Sequence, residues 1–187
     1  MKGNENMKKF MAAMLIFILV ISSGLSVSAA TKYSPNTVKK LGTQGKLPKT
    51  VGHVGMTYGQ LKKQIPGHLE IGEAGTLYYA KNSTAVYLFL KYDMKQMKNS
   101  SKVYLISRTF KQSSFTKPLT ASVMKKNFNG KTKVGSSNYF GGAVYKPAYK
   151  TNSKNYIMHN INATEGIVTL TVGTKKNLQS SGWWLNS

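Results

Sequence analysis

The fold is decided by two related stretches, MTYGQLKKQIPG at residues 56–67 and LTASVMKKNFNG at residues 119–130. They align without a gap at an offset of 63 residues. Both stretches have threonine second, a lysine pair at the seventh and eighth positions, and glycine last, and apolar residues match at the first, sixth and tenth positions. Self-similarity at a fixed spacing indicates two related structural units.

Each stretch has the features of a short helix. Thr57 and Thr120 suit the N-cap position, where a hydroxyl accepts a hydrogen bond from a free amide of the first turn. An apolar residue precedes each threonine, as in a hydrophobic staple. Further along, two apolar residues four positions apart share one face, and a closing glycine permits the left-handed backbone that ends many helices. These residues are Met56, Leu61, Ile65 and Gly67 in the first stretch and Leu119, Met124, Phe128 and Gly130 in the second.

Three runs rich in β-branched and aromatic residues follow each helix, with turn-forming residues between them. The run Ala85–Tyr92 is largely apolar or aromatic on both faces, which indicates a central strand with one face covered by the helix. We therefore predict an α+β fold of two tandem units, residues 51–113 and 114–176, each with a short helix on an antiparallel sheet of three to four strands. The predicted strands are Thr76–Ala80, Ala85–Tyr92, Lys102–Phe110, Gly142–Tyr149, Asn155–Asn160 and Gly166–Val172.

The N-terminal residues have the layout of a secretory signal peptide. Lysines precede an apolar run from Phe10 to Ile21, and small residues follow it as far as Ala30. A permanent membrane anchor would need about 20 consecutive apolar residues, and this run is shorter. We predict that residues 1–30 are removed, with cleavage after Ala29 or Ala30, and that the mature protein is secreted.

Two further segments flank the predicted units. Residues 31–50 include Pro35, Gly42, Gly45 and Pro48, which interrupt any regular pattern, so we predict a polar N-terminal arm there. Residues 177–187 form a C-terminal tail. Its Trp183-Trp184 pair either packs on the body of the protein or stays available for an interface.

Charge and composition limit the classes of partner. The 187 residues include 27 basic and 5 acidic ones, a formal charge of +22, and no cysteine, which excludes disulfides and thiol catalysis. Without residues 1–30 the charge is +20. Because Arg108 is the only arginine, the surface favours diffuse attraction over the bidentate contacts that read bases. We expect an anionic cell-wall polymer or membrane surface as partner, and no specific nucleic acid.

The residues Val54-Gly55-Met56-Thr57, followed by Gln60-Leu61 and a glycine after the helix, resemble the opening of repeats in the β-lactamase-inhibitor-protein-like superfamily. This group includes the SmpA/OmlA (BamE) envelope lipoproteins and the YjgB-like uncharacterised secreted proteins of Gram-positive bacteria, and the chain is most similar to the last of these. The resemblance covers residues 51–175. It implies tandem units of one helix and four strands, a concave sheet used for binding, and no enzymatic activity.

Acidic residues are too few for most catalytic sites. A serine nucleophile with His159 and Asp93 would make a hydrolase, but no nucleophile motif surrounds any serine. His68, Glu70 and Glu73 could bind a divalent cation, although such a cluster is more often a solvated loop. We therefore predict a non-enzymatic protein without catalytic residues, metal or cofactor.

The predicted strands carry most of the tyrosines. Eleven tyrosines cannot all be buried in a small two-layer fold, so we expect a tyrosine-rich sheet face, fringed by lysines, to bind a protein or an anionic polymer. The protein would then be a basic binding module of the cell envelope or exterior. Inhibition of a secreted hydrolase is the alternative, and hydrolysis a remote one. The predicted binding residues are Tyr87, Tyr104, Arg108, Tyr145, Tyr149, Tyr156, Lys62, Lys63, Lys125 and Lys126.

Overall fold

The structure, a computed structural model, describes residues 31–137 and 143–180. The predicted signal peptide and the Trp183-Trp184 pair lie outside these residues. The described residues from Lys32 onward belong to one compact unit. No helix of the described segments is long and apolar enough to cross a membrane. The described α-helices are α1 (Pro35–Thr43), α2 (Tyr58–Gln64), α3 (Ala121–Asn127) and α4 (Lys175–Ser180).

Eight strands of the described residues form one antiparallel sheet. They are β1 (Gly67–Gly72), β2 (Gly75–Ala80), β3 (Ala85–Phe89), β4 (Leu105–Lys111), β5 (Lys131–Ser137), β6 (Ala143–Lys150), β7 (Asn155–Asn162) and β8 (Ile167–Thr174). Their order across the sheet is β1-β2-β3-β4-β8-β7-β6-β5. The α+β class is confirmed, but the strands of the two chain halves share a single sheet. Pairing of β4 with β8, from Ile106 opposite Val172 to Lys111 opposite Ile167, joins the halves.

The two predicted helix starts are confirmed. The Thr57 hydroxyl accepts from the Gln60 amide at 3.3 Å, and the Gln60 side chain accepts in return from the Thr57 amide at 3.1 Å, which forms a capping box. Thr120 caps α3 by accepting from the Val123 amide at 3.3 Å. These short helices therefore begin where side-chain chemistry satisfies their free amides.

The predicted left-handed end of α2 at Gly67 is wrong. The helix ends at Gln64, Ile65 follows in an extended conformation, and Gly67 begins β1. A Cβ at Gly67 would collide with the Tyr79 carbonyl oxygen of the neighbouring strand. Glycine is needed at this position for close strand approach, not for a helix end.

The predicted strands are all present, with shifted ends, but two strands were missed. β3 stops at Phe89 instead of Tyr92, and β4 starts only at Leu105. The missed strands β1 and β5 are the two edges of the sheet. β1 is mostly exposed, so it lacks the apolar alternation by which a half-buried strand is recognised.

Residues 31–50 are not an irregular arm. Ser34 caps α1 by accepting from the Thr37 amide at 3.1 Å, and Pro35 occupies the first turn, where its missing N–H costs nothing. Val38 and Leu47 are buried in the same apolar cluster as the sheet. The segment is therefore part of the folded body.

Each face of the sheet carries its own apolar cluster. On the helix face, which includes Ile106 and Leu170, buried residues of α1, α2 and α3 complete the core. On the far face, Leu105 and Met158 pack with Leu178 of α4. The side chain of Asn177 fixes α4 by donating to the Tyr104 carbonyl at 2.8 Å.

Tyrosine hydroxyls connect the helix face to the segments above it. Tyr78 donates to the Ile65 carbonyl and Tyr87 to the Val51 carbonyl, both at 2.7 Å. Burial raises the pKa of Tyr87 to about 12. Each ring thus fills the core while its polar end satisfies a backbone acceptor.

We expect Tyr87→Phe to lower the free energy of unfolding by about 1 kcal/mol, because it leaves the Val51 carbonyl without its donor. Tyr92→Phe is the matched control, since Tyr92 is an exposed tyrosine. Chemical denaturation of both variants measures the difference. Equal stability of Tyr87→Phe and the wild type would show that this hydrogen bond adds nothing.

Gly42→Ala should destabilise the protein, although alanine favours helices. The new Cβ would lie 2.5 Å from Cδ1 of Ile157 and 3.0 Å from Cγ2 of Thr151. Overpacking of this kind costs about 1–3 kcal/mol, which exceeds the gain in helix propensity of up to about 1 kcal/mol. Ile157→Val removes the colliding methyl group, so a double-mutant cycle should recover part of the loss. Additive effects would contradict the contact.

Candidate functional site

The structure does not place the predicted tyrosines on one binding face. Tyr87 and Tyr149 are both 0% exposed and lie in the core of the helix face, so their assignment as binding residues is wrong. The Tyr149 hydroxyl points to the Ala121 carbonyl at 3.5 Å. Alternation along a strand shows which residues share a face, but not which face the helices cover.

Arg108 also has a structural position. Its guanidinium donates through Nη1 to the Lys49 carbonyl and lies 5.4 Å from the centre of the Phe110 ring. Burial lowers the pKa of Arg108. Lys49 has a positive φ of 54°, an uncommon conformation for a residue with a side chain. Arg108 therefore helps to hold this turn of the N-terminal segment, and it does not line the cleft described below.

The other predicted tyrosines are divided. Tyr104 is half-buried in the far-face cluster. Tyr145 lies in β6, and its side chain is outside the described part of the structure. Tyr156, half-buried on β7, borders a polar cavity. Only Tyr156 of this group contributes to the site described below.

The predicted lysine pairs are exposed on two separate helices. Lys62 and Lys63 lie in the last turn of α2, and Lys125 and Lys126 lie in the last turn of α3. The helix C-terminus carries a partial negative charge from the helix dipole, which stabilises the positively charged lysines there. Lys62 Nζ also lies 5.2 Å from the centre of the Tyr58 ring. The pairs extend the basic surface, and they do not line either of the two cavities described below.

The candidate site is a polar cavity of about 650 Å³ at the turn between β6 and β7, next to one of about 460 Å³ along α1. Asn152 lines both, and we call the pair the lysine–amide cleft. Four lysines, three further amide side chains, three hydroxyl residues and Tyr156 complete its lining. These residues are Asn36, Lys39, Lys40, Thr43, Gln44, Asn129, Lys150, Thr151, Ser153 and Lys154.

A hydrogen-bond network gives the cleft a fixed frame. Lys39 Nζ donates to Asn129 Oδ1 at 2.5 Å, and Asn129 Nδ2 donates to Asn152 Oδ1 at 2.6 Å. The backbone N–H of Asn152 donates to the Thr43 hydroxyl at 3.1 Å, and the Ser153 hydroxyl donates to the Thr43 carbonyl at 3.0 Å. Helix α1 and the β6–β7 turn are therefore fastened together.

Charge is unevenly distributed around this frame. Residues 31–50 and 114–176 contain fifteen lysines and one acid, Glu165, whereas Glu70, Glu73 and Asp93 all lie in the first half. None of the residues that line the cleft is acidic. Lys40, Lys150 and Lys154 are exposed and keep their ammonium groups available to a ligand. Together with amides and hydroxyls, they suit a polyanion that also carries hydroxyl groups.

Sequence reasoning missed most of this cleft. The turn Thr151-Asn152-Ser153 between two lysines was a detectable signal, because turn residues beside repeated lysines mark an exposed basic loop. The contribution of α1 gave no comparable signal. Thr43 and Asn152 are 109 residues apart, and only the folded sheet brings them together.

The residues considered for catalysis do not form a catalytic pair. Asp93 accepts from the Lys95 amide at 2.8 Å and caps a turn of 3₁₀ helix. His159 is buried on the helix face beside Tyr149, and its Nδ1 has no hydrogen-bond partner. His68 binds Glu70 at 2.9 Å and stacks on Tyr79. No group of three or more acidic, histidine or cysteine residues in the described segments could hold a metal ion.

Comparison of the chain with protein-family models, curated proteins and solved structures gives no match. The resemblance to the β-lactamase-inhibitor-protein-like superfamily therefore stays a prediction from the sequence motifs. The functional interpretation depends on the geometry and charge of the site itself.

The buried His159 should make stability depend on pH. Burial lowers the pKa of His159 below its ordinary value of 6.5, so the unfolded chain binds a proton more readily than the folded one. Its contribution to stability is present above pH 6.5 and is lost as the pH falls from 6.5 toward the folded pKa.

We expect the unfolding free energy of His159→Phe to fall less steeply than that of the wild type below pH 6.5. His53→Gln, at an exposed histidine, is the control and should keep the wild-type slope. Urea denaturation at several pH values gives these slopes. Identical slopes for His159→Phe and the wild type would rule out His159 as the source.

Proposed function

We propose that the protein is a secreted, non-enzymatic binding protein of the bacterial cell envelope or exterior, and that it binds an anionic polymer at the lysine–amide cleft. The observation that carries this proposal is the cleft lining, which combines lysines, amides and hydroxyls without an acid. Lysine attracts phosphate or carboxylate groups, and the amides and hydroxyls offer partners to sugar or polyol hydroxyls. The exposed lysine pairs of α2 and α3 would add long-range attraction.

The two chain halves fit a tandem arrangement. Each half supplies one capped helix and four strands, and the strand order is mirrored about the β4–β8 pair. This agrees with the repeat of residues 56–67 at 119–130 and with the family that the sequence resembles. We infer that each half, 51–113 and 114–176, is one copy of an ancestral unit, and that α1 was added beside the second copy.

The two other candidate functions have less support. Inhibition of a secreted hydrolase is suggested by the resemblance to the β-lactamase-inhibitor-protein-like superfamily and by the predicted aromatic sheet face, and burial of Tyr87 and Tyr149 removes part of that face. A hydrolase would need a base that an acid orients, and Asp93 instead caps its own turn.

The cleft proposal can be tested with inorganic polyphosphate, a defined anionic polymer. The triple variant Lys40→Gln, Lys150→Gln and Lys154→Gln should reduce affinity at least about tenfold. It should also make the slope of log affinity against log salt shallower by about 2, because a variant that makes fewer phosphate contacts releases fewer counterions on binding. Calorimetric titration at several salt concentrations measures both quantities.

The matched control replaces three exposed lysines outside the cleft, as Lys81→Gln, Lys111→Gln and Lys117→Gln. It removes the same charge as the cleft variant but leaves the cleft intact. If the cleft is the site, the control should therefore lose much less affinity for polyphosphate. Equal losses in the two triple variants would reject the cleft and leave only diffuse attraction. Retention on isolated bacterial walls that does not change with salt would reject the charge-based proposal altogether.

A further inference from the structure

Large apolar side chains are exposed at the rim beside the first sheet edge, far in sequence from the cleft residues. Ile71 is 55%, Tyr92 62% and Met94 45% exposed. They are three of the four exposed large hydrophobic residues of the described segments, and the fourth is Ile161, 38% exposed on β7. Exposed apolar residues that gather at one place mark interaction sites, whereas scattered ones do not.

Two contacts place the segment with Tyr92 and Met94 beside the sheet edge that carries Ile71. Thr76 of β2, the register partner of Ile71, donates its hydroxyl to the Lys91 carbonyl at 2.6 Å, which fixes the residue before Tyr92 against β2, the strand that pairs with β1. The turn Met94–Gln96 lies against β1. We call Ile71, Tyr92 and Met94 the apolar rim.

The apolar rim has cationic neighbours. Lys91 precedes Tyr92, while Lys95 and Lys98 follow Met94 in the same segment. The Gly59 amide donates to the Asn99 carbonyl at 2.9 Å, so α2 and its lysine pair border this segment as well. A tyrosine and two aliphatic side chains among lysines match an anionic lipid surface, where the apolar groups enter the headgroup region and the ammonium groups meet phosphates.

Two of the three nearby carboxylates already have hydrogen-bond partners. Glu70 neighbours Ile71 on β1, but alternation along the strand puts it on the opposite face, where it binds His68 at 2.9 Å. Asp93 accepts from the Lys95 amide at 2.8 Å. Glu73, at the turn between β1 and β2, is the one exposed acid of this region without such a contact among the described residues.

We propose that the apolar rim inserts into the interface of an anionic lipid bilayer and so gives the protein a second attachment, independent of the lysine–amide cleft. The occupant is a lipid surface with phosphate headgroups. Insertion depends on burying Ile71, Tyr92 and Met94, so it persists at salt concentrations that screen exposed charges.

The absence of cysteine permits a direct test, since an introduced cysteine is the only labelling site. Met94→Cys carrying an environment-sensitive NBD fluorophore should shift its emission to the blue with vesicles of phosphatidylglycerol and phosphatidylcholine. Ile161→Cys with the same label is the control and should not shift. No shift at position 94, or equal shifts at both positions, would overturn the proposal.

A second measurement separates insertion from simple charge attraction. In vesicle sedimentation at 0.5 M salt, Tyr92→Ser combined with Met94→Ser should bind about tenfold more weakly or worse, whereas Ile161→Ser should match the wild type. Binding that salt abolishes equally in all variants would show attraction by charge alone and overturn insertion. The rim variant should keep full affinity for polyphosphate, so that failure here and failure of the cleft proposal remain distinct results.

Discussion

The pairing of β4 with β8 is the constraint on which the rest of the structure depends. It is the one connection between the strands of the first half and those of the second in the described sheet. On the far face it brings Ser107 to Thr171 at 3.1 Å and Thr109 to Thr169 at 2.9 Å through their hydroxyls. Its other face contributes Ile106 and Val172 to the continuous core. Without this pairing each half would expose an additional strand edge, and the apolar cluster would be divided between the two halves.

Local chemistry made part of this fold predictable. The caps at Thr57 and Thr120 depend on neighbours three residues away, so the sequence alone locates the helix starts. The edge strand β1 was missed because His68 and Glu70 give it the composition of a loop. The helix α1 was missed because its stability comes from burial of Val38 and from the fit of Gly42 against Ile157, contacts that no local pattern contains. Tertiary packing outweighs weak local propensity at such positions.

The binding surface was harder to predict than the fold. Tyrosines on strands were interpreted as contact residues, but Tyr78, Tyr87 and Tyr149 serve the core and direct their hydroxyls to backbone carbonyls. Lys150 and Lys154, two exposed lysines of the cleft, flank a turn that is hydrogen-bonded to α1. The abundance of lysine was evident from composition. The network through Asn129 and Asn152 could not be read from composition, because it joins α1, the end of α3 and the β6–β7 turn, which are far apart in the sequence.

The attachment of α1 to β7 has a consequence for the order of folding. The side chain of Asn155 donates to the Gly42 carbonyl across 113 residues of chain, and Ile157 of the same strand packs on Gly42. Helix α1 is among the first described segments to be synthesised, yet its docking surface is among the last. The contacts of Gly42 with Asn155 and Ile157 therefore form only after β7 has been synthesised. Contacts of such long sequence separation slow folding, and they couple the start of the body cooperatively to its end.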